Sequence, residues 1–136
     1  MTIEEIRKFF DNDRFATGIG CRIEEAEPDH AVITLDVEER HLNGNGVVQG
    51  GVLFTMADFA CATAAYANGD MRVSADGAIS YFSAGNCKKL TAVSSALKIG
   101  RSLSYYEALI TDENGKKIAK GSFTMYKINT DNGKKY

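Results

Sequence analysis

Residues 50–68 read GGVLFTMADFACATAAYAN. Good helix formers dominate this stretch, and Asn68-Gly69 supplies a C-terminal stop, so the pattern predicts one helix over about 50–68. Apolar side chains fall nearly all the way round it, from Val52 and Leu53 through Met56, Phe59 and Cys61 to Tyr66. A helix apolar on every side is expected to be buried on every side. The interspersed alanines would let enclosing strands approach closely.

Working outward, the flanks supply the enclosure. Residues 30–38 alternate, with Ile33, Leu35 and Val37 on one side and Thr34, Asp36 and Glu38 on the other. That period of two marks a strand with one buried face. Residues 18–27 give a weaker strand signal. Beyond the helix, residues 71–84, 88–100, 103–112 and 116–128 are rich in Val, Ile, Tyr, Phe, Thr and Ser. Turns fall at Gly100-Arg101 and at Glu113-Asn114-Gly115, where Asn114-Gly115 predicts a two-residue hairpin. At the start of the chain, Thr2 and Glu5 form a capping-box pattern ahead of Ile6, Phe9 and Phe10, so a short amphipathic helix is expected at about 3–11. The order is helix, two strands, long helix, four strands. It predicts an α+β fold in which a six-stranded antiparallel sheet wraps one buried helix. The polar end, 129–136, is expected to fray.

Length and composition bound the class. The 136 residues are 44% hydrophobic and 25% charged, the make-up of one globular domain. No run of about 18 uninterrupted apolar residues occurs, so no membrane span is expected. MTIEEIRKFF has acids early and no apolar core, so no secretory leader is expected. Net charge is −2 without a like-charge block, which gives no sign of a nucleic-acid or membrane-surface partner. Cys21, Cys61 and Cys87 fit neither a zinc spacing nor a disulfide framework, so reduced thiols in the cytoplasm are expected. His30 and His41 are the two histidines, too few for a His-rich metal site.

The chemistry lies in the central helix. Asp58 is its one charge. An unpaired carboxylate in apolar surroundings costs several kcal/mol or takes up a proton. Either Asp58 meets solvent or a strand partner, or it belongs to a site. At the helix start, Gln49-Gly50-Gly51 leaves backbone N–H groups without helical partners, reinforced by the dipole and open to a ligand. A carbonyl oxygen seated there would be polarised as in an oxyanion hole. Gly-Gly also serves tight turns and close packing. Gly51 and Asp58 share a helix face but lie about 10 Å apart along the axis. That is too far to act on one carbonyl within one chain. Cooperation between them requires a second copy, as in a two-fold dimer with two equivalent sites.

These residues carry a resemblance. HLNGNGVVQGGVLFTMADFACATAAYANG (41–69) resembles the hotdog-fold acyl-CoA thioesterases of the PaaI-like branch, within the 4-hydroxybenzoyl-CoA thioesterase superfamily. That branch carries an Asn followed by glycines, then His-Gly-Gly, then Leu-Ala-Asp in the helix. Asn43, Gly50, Gly51 and Asp58 stand in those places. The likeness continues through RVSADGAISYFSAGN (72–86), KIGRSL (98–103) and ALITDENGKKIAKGSFTMY (108–126).

The resemblance implies roles. Asp58 acts as nucleophile or as general base for water, and the Gly50 N–H polarises the thioester carbonyl. Asn43 holds the thioester or the water, and Ser74 positions water. Gly51, Tyr81, Phe82 and Ser83, with Lys98, Gly100, Arg101, Ser102 and Leu103, line the substrate and its CoA arm. Arg101, with Lys98 or Lys89, is placed to pair with a CoA phosphate. The substrate is an acyl-CoA, with CoA as part of the substrate and no separate cofactor. Homodimers share each site between two subunits, and many members pair dimers into tetramers.

One departure stands out. Gln49 occupies the family's His position, and it can hydrogen-bond but does not titrate near neutral pH. An acyl-CoA-binding hotdog protein with little catalysis is therefore the alternative from another class. The dehydratase branch of the same fold is weighed on His41 and Gly51-Val52-Leu53. It fits less well, because position 56 is Met where that branch has an acid and its Pro is missing. His41 then reads as a loop residue, and Cys61 as a small core residue. Lys88-Lys89 reads as a solvated turn.

Overall fold

The structure is a computed structural model and describes residues 1–128, so the tail 129–136 lies outside the described residues. The elements are α1 (Ile3–Phe10), α2 (Arg14–Gly18), β1 (Arg22–Glu27), β2 (His30–Asp36), a 3-10 turn (Glu39–His41), α3 (Gly50–Ala67), β3 (Arg72–Tyr81), β4 (Lys89–Ile99), β5 (Leu103–Asp112) and β6 (Lys117–Lys127). The strands form one antiparallel sheet in the order β1-β2-β4-β5-β6-β3. The expected α+β layout is the one observed, with α3 packed against all six strands.

Local chemistry explains the elements. The capping box forms as expected, with Glu5 N–H donating to Thr2 Oγ1 and Thr2 N–H to Glu5 Oε2. The strand expected from residue 18 begins only at Arg22. Asp13 caps a second helix through Ala16 N–H, and Gly20 at φ 107° then turns the chain into β1. The β5–β6 hairpin has three loop residues, not two. Asp112 pairs with Lys116, and Gly115 takes the left-handed position at φ 80°. There the Asp112 carboxylate accepts the Asn114 and Lys116 N–H groups and favours the longer turn.

Small residues set the distance between helix and sheet. Gly121 on β6 faces Ala57 of α3 so closely that a Cβ at 121 would lie 2.8 Å from the Ala57 Cβ. Ser94 on β4 donates to the Ala60 carbonyl at 2.7 Å, a polar tie between the layers in a fully buried place. At the far end, Asp29 sits in the left-handed region at φ 61°. Its N–H donates to the Ala64 carbonyl, and its carboxylate accepts the buried Tyr106 hydroxyl at 2.6 Å. That turn joins β1–β2, α3 and β5.

The enclosure is incomplete, which corrects the expectation of burial on every side. The sheet is open, with β1 and β3 as its edges. A strip of α3 through Gly51, Phe54, Thr55 and Asp58 is left exposed or half-buried. By length and composition α3 could also span a membrane, contrary to the uninterrupted-run criterion. Half of its residues are instead buried within the fold.

Gly121→Ala is expected to destabilise the fold by about 1–3 kcal/mol, because neither Ala57 nor Phe123 can give way without moving a layer. Urea unfolding monitored by circular dichroism measures the change.

Candidate active site

α3 and β3 run in opposite directions, and this pairs their residues end to end. Near the start of α3, the Tyr81 hydroxyl donates to the Gly50 carbonyl at 3.1 Å. Midway, Phe54 reaches the Gly77 position. Farther along, Ser74 Oγ donates to Asp58 Oδ1 at 2.5 Å. Two residues singled out in the sequence are thus brought together, and the carboxylate has a strand partner as well as an opening to solvent.

Asp58 is half-buried on the uncovered strip. Burial is the main cause that lifts its pKa above the ordinary aspartate value. The Ser74 hydroxyl pulls the other way, and the nearby Asp13 carboxylate adds to the rise. The signal in the sequence for Asp13 is its N-cap spacing to Ala16, although Asp11-Asn12-Asp13 reads equally as the stop of α1.

The other cluster surrounds the N-terminus of α3. A cavity of about 480 Å³ is lined by Asn43, Gly50, Leu53, Tyr81, Phe82 and Ser83 with Val47, Val48, Ala84 and Gly85. Five of the expected site residues meet there. Tyr81 lies over Gly50, and a Cβ at position 50 would come within 2.8 Å of its hydroxyl. Glycine is required there for that close approach. Asn43 lines the cavity, and its Oδ1 accepts the Asn45 and Val47 N–H groups, with no hydrogen bond from its Nδ2 among the described residues.

Gln49 has a specific place. Its side-chain Oε1 accepts the Gly50 N–H at 3.1 Å, the very donor expected to polarise a carbonyl. Its own N–H donates to the His41 carbonyl at 2.8 Å. His41 is a loop residue, in the 3-10 turn after β2, and it is buried. Its Nδ1 accepts the Glu38 N–H at 2.9 Å, so Nε2 carries the proton toward the Ile19 carbonyl at 2.6 Å. With both ring nitrogens engaged, His41 holds the loop.

The remaining expected residues lie elsewhere. Lys98 lies near the end of β4, Leu103 opens β5, and Gly100, Arg101 and Ser102 form the turn between them, which contacts Arg72 at the start of β3. Tyr81 ends β3, about 30 Å away at the rise of an extended strand. The two segments expected to line one CoA arm are therefore at opposite ends of a chain. Asp58 and Gly50 are likewise about 12 Å apart along an unbroken helix.

The cysteines are free thiols. Burial raises the Cys21 thiol to about 12 and the Cys87 thiol to about 11, and raises Cys61 further, so none has thiolate character. Among the described residues no group of three or more His, Cys, Asp and Glu is placed to hold a metal.

With this geometry in hand, comparison with known proteins identifies the class. The family profile of the 4HBT thioesterase superfamily matches residues 45–119, more than half of the chain. The chain belongs to that superfamily, and its fold is the hotdog fold. It is 30% identical over 111 residues to the acyl-coenzyme A thioesterase PaaI of Escherichia coli, covering 81% of this chain and 79% of that one. The structure of E. coli PaaI superposes with a TM-score of 0.87 at 27% identity, over 93% of this chain and 92% of that chain. A hypothetical thioesterase protein of Streptococcus pneumoniae solved with coenzyme A superposes with a TM-score of 0.82 at 27% identity, over 88% and 97% of the two chains.

A stability measurement tests the Asp58 environment. With its pKa raised, ionised Asp58 costs the folded state free energy in full above that raised value. The cost is lost as pH falls, and is gone below the ordinary aspartate value. Asp58→Asn keeps an acceptor for Ser74. It is expected to raise the thermal midpoint at neutral pH, with the gain shrinking as pH is lowered through that window.

Proposed function

We propose that this chain hydrolyses the thioester of a small acyl- or aryl-CoA to the free acid and CoA, in the cytoplasm. The carrying observation is the solvent-reachable Asp58 carboxylate, oriented by Ser74 on the one uncovered strip of an otherwise apolar helix. Asp58 attacks the thioester carbon or takes the proton of an attacking water. The Gly50 N–H, backed by the α3 dipole, stabilises the oxyanion once the substrate oxygen displaces Gln49 Oε1. Asn43 Nδ2 donates to the thioester from the side of the cavity.

Each site is shared between two copies of a single-domain chain, and the separation of Gly50 and Asp58 along α3 together with the edge strand β3 supports this. The β3 edge is unpaired and largely exposed in the single chain. Antiparallel pairing of two such edges about an axis between Gly77 and Ala78 sets Ser74 opposite the partner subunit's Tyr81. Asp58 of one chain then approaches the Gly50 N–H of the other, and the distance along α3 ceases to matter. Pairing of such dimers into tetramers remains compatible with this arrangement. The reducing location rests on three free thiols.

A panel of phenylacetyl-, hydroxybenzoyl-, short- and medium-chain acyl-CoAs, read by release of free thiol, tests the reading. Turnover of at least one member is expected, with the acidic limb of kcat/KM above the ordinary aspartate pKa. Tight binding without turnover of any member assigns the chain as an acyl-CoA-binding protein instead, as the capped Gly50 N–H would favour.

Two substitutions test the machinery. Asp58→Asn is expected to lower kcat by about 10²-fold or more while the chain stays folded and dimeric in sedimentation. Gln49→His is expected to keep or raise turnover by removing the amide oxygen that competes for the Gly50 N–H. A collapse there would make Gln49 itself a required group.

A further inference from the structure

Arg72 is a charge that the proposed chemistry does not use. It opens β3 and its side chain is only 1% exposed. Its Nη1 donates to the Ser102 carbonyl at 3.2 Å, and its Nη2 donates to the Gly100 carbonyl at 3.1 Å and to Asp70 Oδ2 at 3.0 Å. Its Nε is buried without a hydrogen-bond partner. Asp70 is shared with Lys127 Nζ at 3.1 Å, and the Lys127 N–H also donates to the Ser102 carbonyl.

Such an arrangement is weak as a stabilising device. A buried ion pair offsets little more than its own desolvation, and an unpartnered Nε adds to the cost. What the guanidinium does well is geometric. Its rigid fork holds the two carbonyls on either side of Arg101. Gly100 closes the turn further, since its N–H donates to Ser104 Oγ and a Cβ there would fall 2.2 Å from the Leu103 carbonyl oxygen. Arg101 stands exposed in this clamped turn, with exposed Lys98 three residues before it near the end of β4. Neither takes part in any ion pair among the described residues. Two uncompensated cations on a rigid turn suit a polyanion.

Resting on the acyl-CoA reading above, we infer that Arg72 is a positioning residue, which clamps the Gly100–Ser102 turn so that Arg101 and Lys98 meet the phosphates of the CoA nucleotide. It acts on substrate capture and not on the chemical step. The nucleotide end of the substrate is the only part it governs.

The test compares an acyl-CoA with the matching acyl-pantetheine, which lacks the nucleotide. Arg72→Lys keeps the charge but loses the two-point fork. It is expected to raise KM for acyl-CoA about fivefold, the scale of one exposed charge contact, with kcat kept. KM for acyl-pantetheine is expected to stay as it was. Adding Arg72→Lys to a variant that lacks both cations, Lys98→Gln with Arg101→Gln, should raise KM no further than that variant alone, because the clamp acts through those two side chains. Equal losses on both substrates, or a further loss when Arg72→Lys is added to that variant, overturn the proposal.

If Arg72 variants do not fold, Gly100→Ala displaces the same turn with every charge in place and must raise KM for acyl-CoA selectively. An unchanged KM in that variant also overturns the proposal. Calorimetric binding of adenosine 3′,5′-bisphosphate separates the two readings. Binding weakened by Arg72→Lys or Gly100→Ala supports the clamp even if no acyl-CoA is hydrolysed, and no binding to the unaltered chain refutes it.

Discussion

Burial of α3 is the constraint on which the rest of the structure depends, because an apolar eighteen-residue helix cannot be left in water. Six strands close around it, and the fit is set by the smallest side chains. Ala57 lies against Gly121, and Ser94, fully buried, reaches the Ala60 carbonyl. The sheet does not close on itself. Its two edges leave one strip of the helix uncovered, and the single carboxylate of α3 stands on that strip.

The same geometry divides the chemistry. A straight helix separates its positive N-terminus from a carboxylate two turns on, and an antiparallel neighbour strand repeats the separation on the sheet. Tyr81 attends Gly50 at one end while Ser74 attends Asp58 toward the other. In the proposed two-chain site, the exposed β3 edge is the surface along which the halves would meet. Burial opposes the charge of Asp58, and Ser74 relieves only part of that opposition.

Around the helix start, the loop matters as much as the helix. His41, with both nitrogens committed, anchors a loop whose last residue, Gln49, places its amide oxygen on the Gly50 N–H. A group that resembled a catalytic candidate in sequence is a structural post. A group that looked like a simple replacement of His by Gln occupies the donor that a substrate oxygen would need.

The sequence by itself determined the elements and most of their order. Alternation marked the strands, apolar coverage marked the buried helix, and a lone Asp with a Gly pair marked the site. These signals are local, since periodicity and capping act over a few residues. It misjudged α2, because Asp13 reads equally as the end of one helix and the cap of the next. It also gave the hairpin too short a loop, because the Asp112 carboxylate reshaped it. Only the tertiary structure decided that Asp58 meets Ser74, that Tyr81 covers Gly50, that His41 is buried, and that Arg72 holds the turn around Arg101. Those pairings join residues far apart in the chain. They depend on strand order, on direction and on which strip of α3 the open sheet leaves bare.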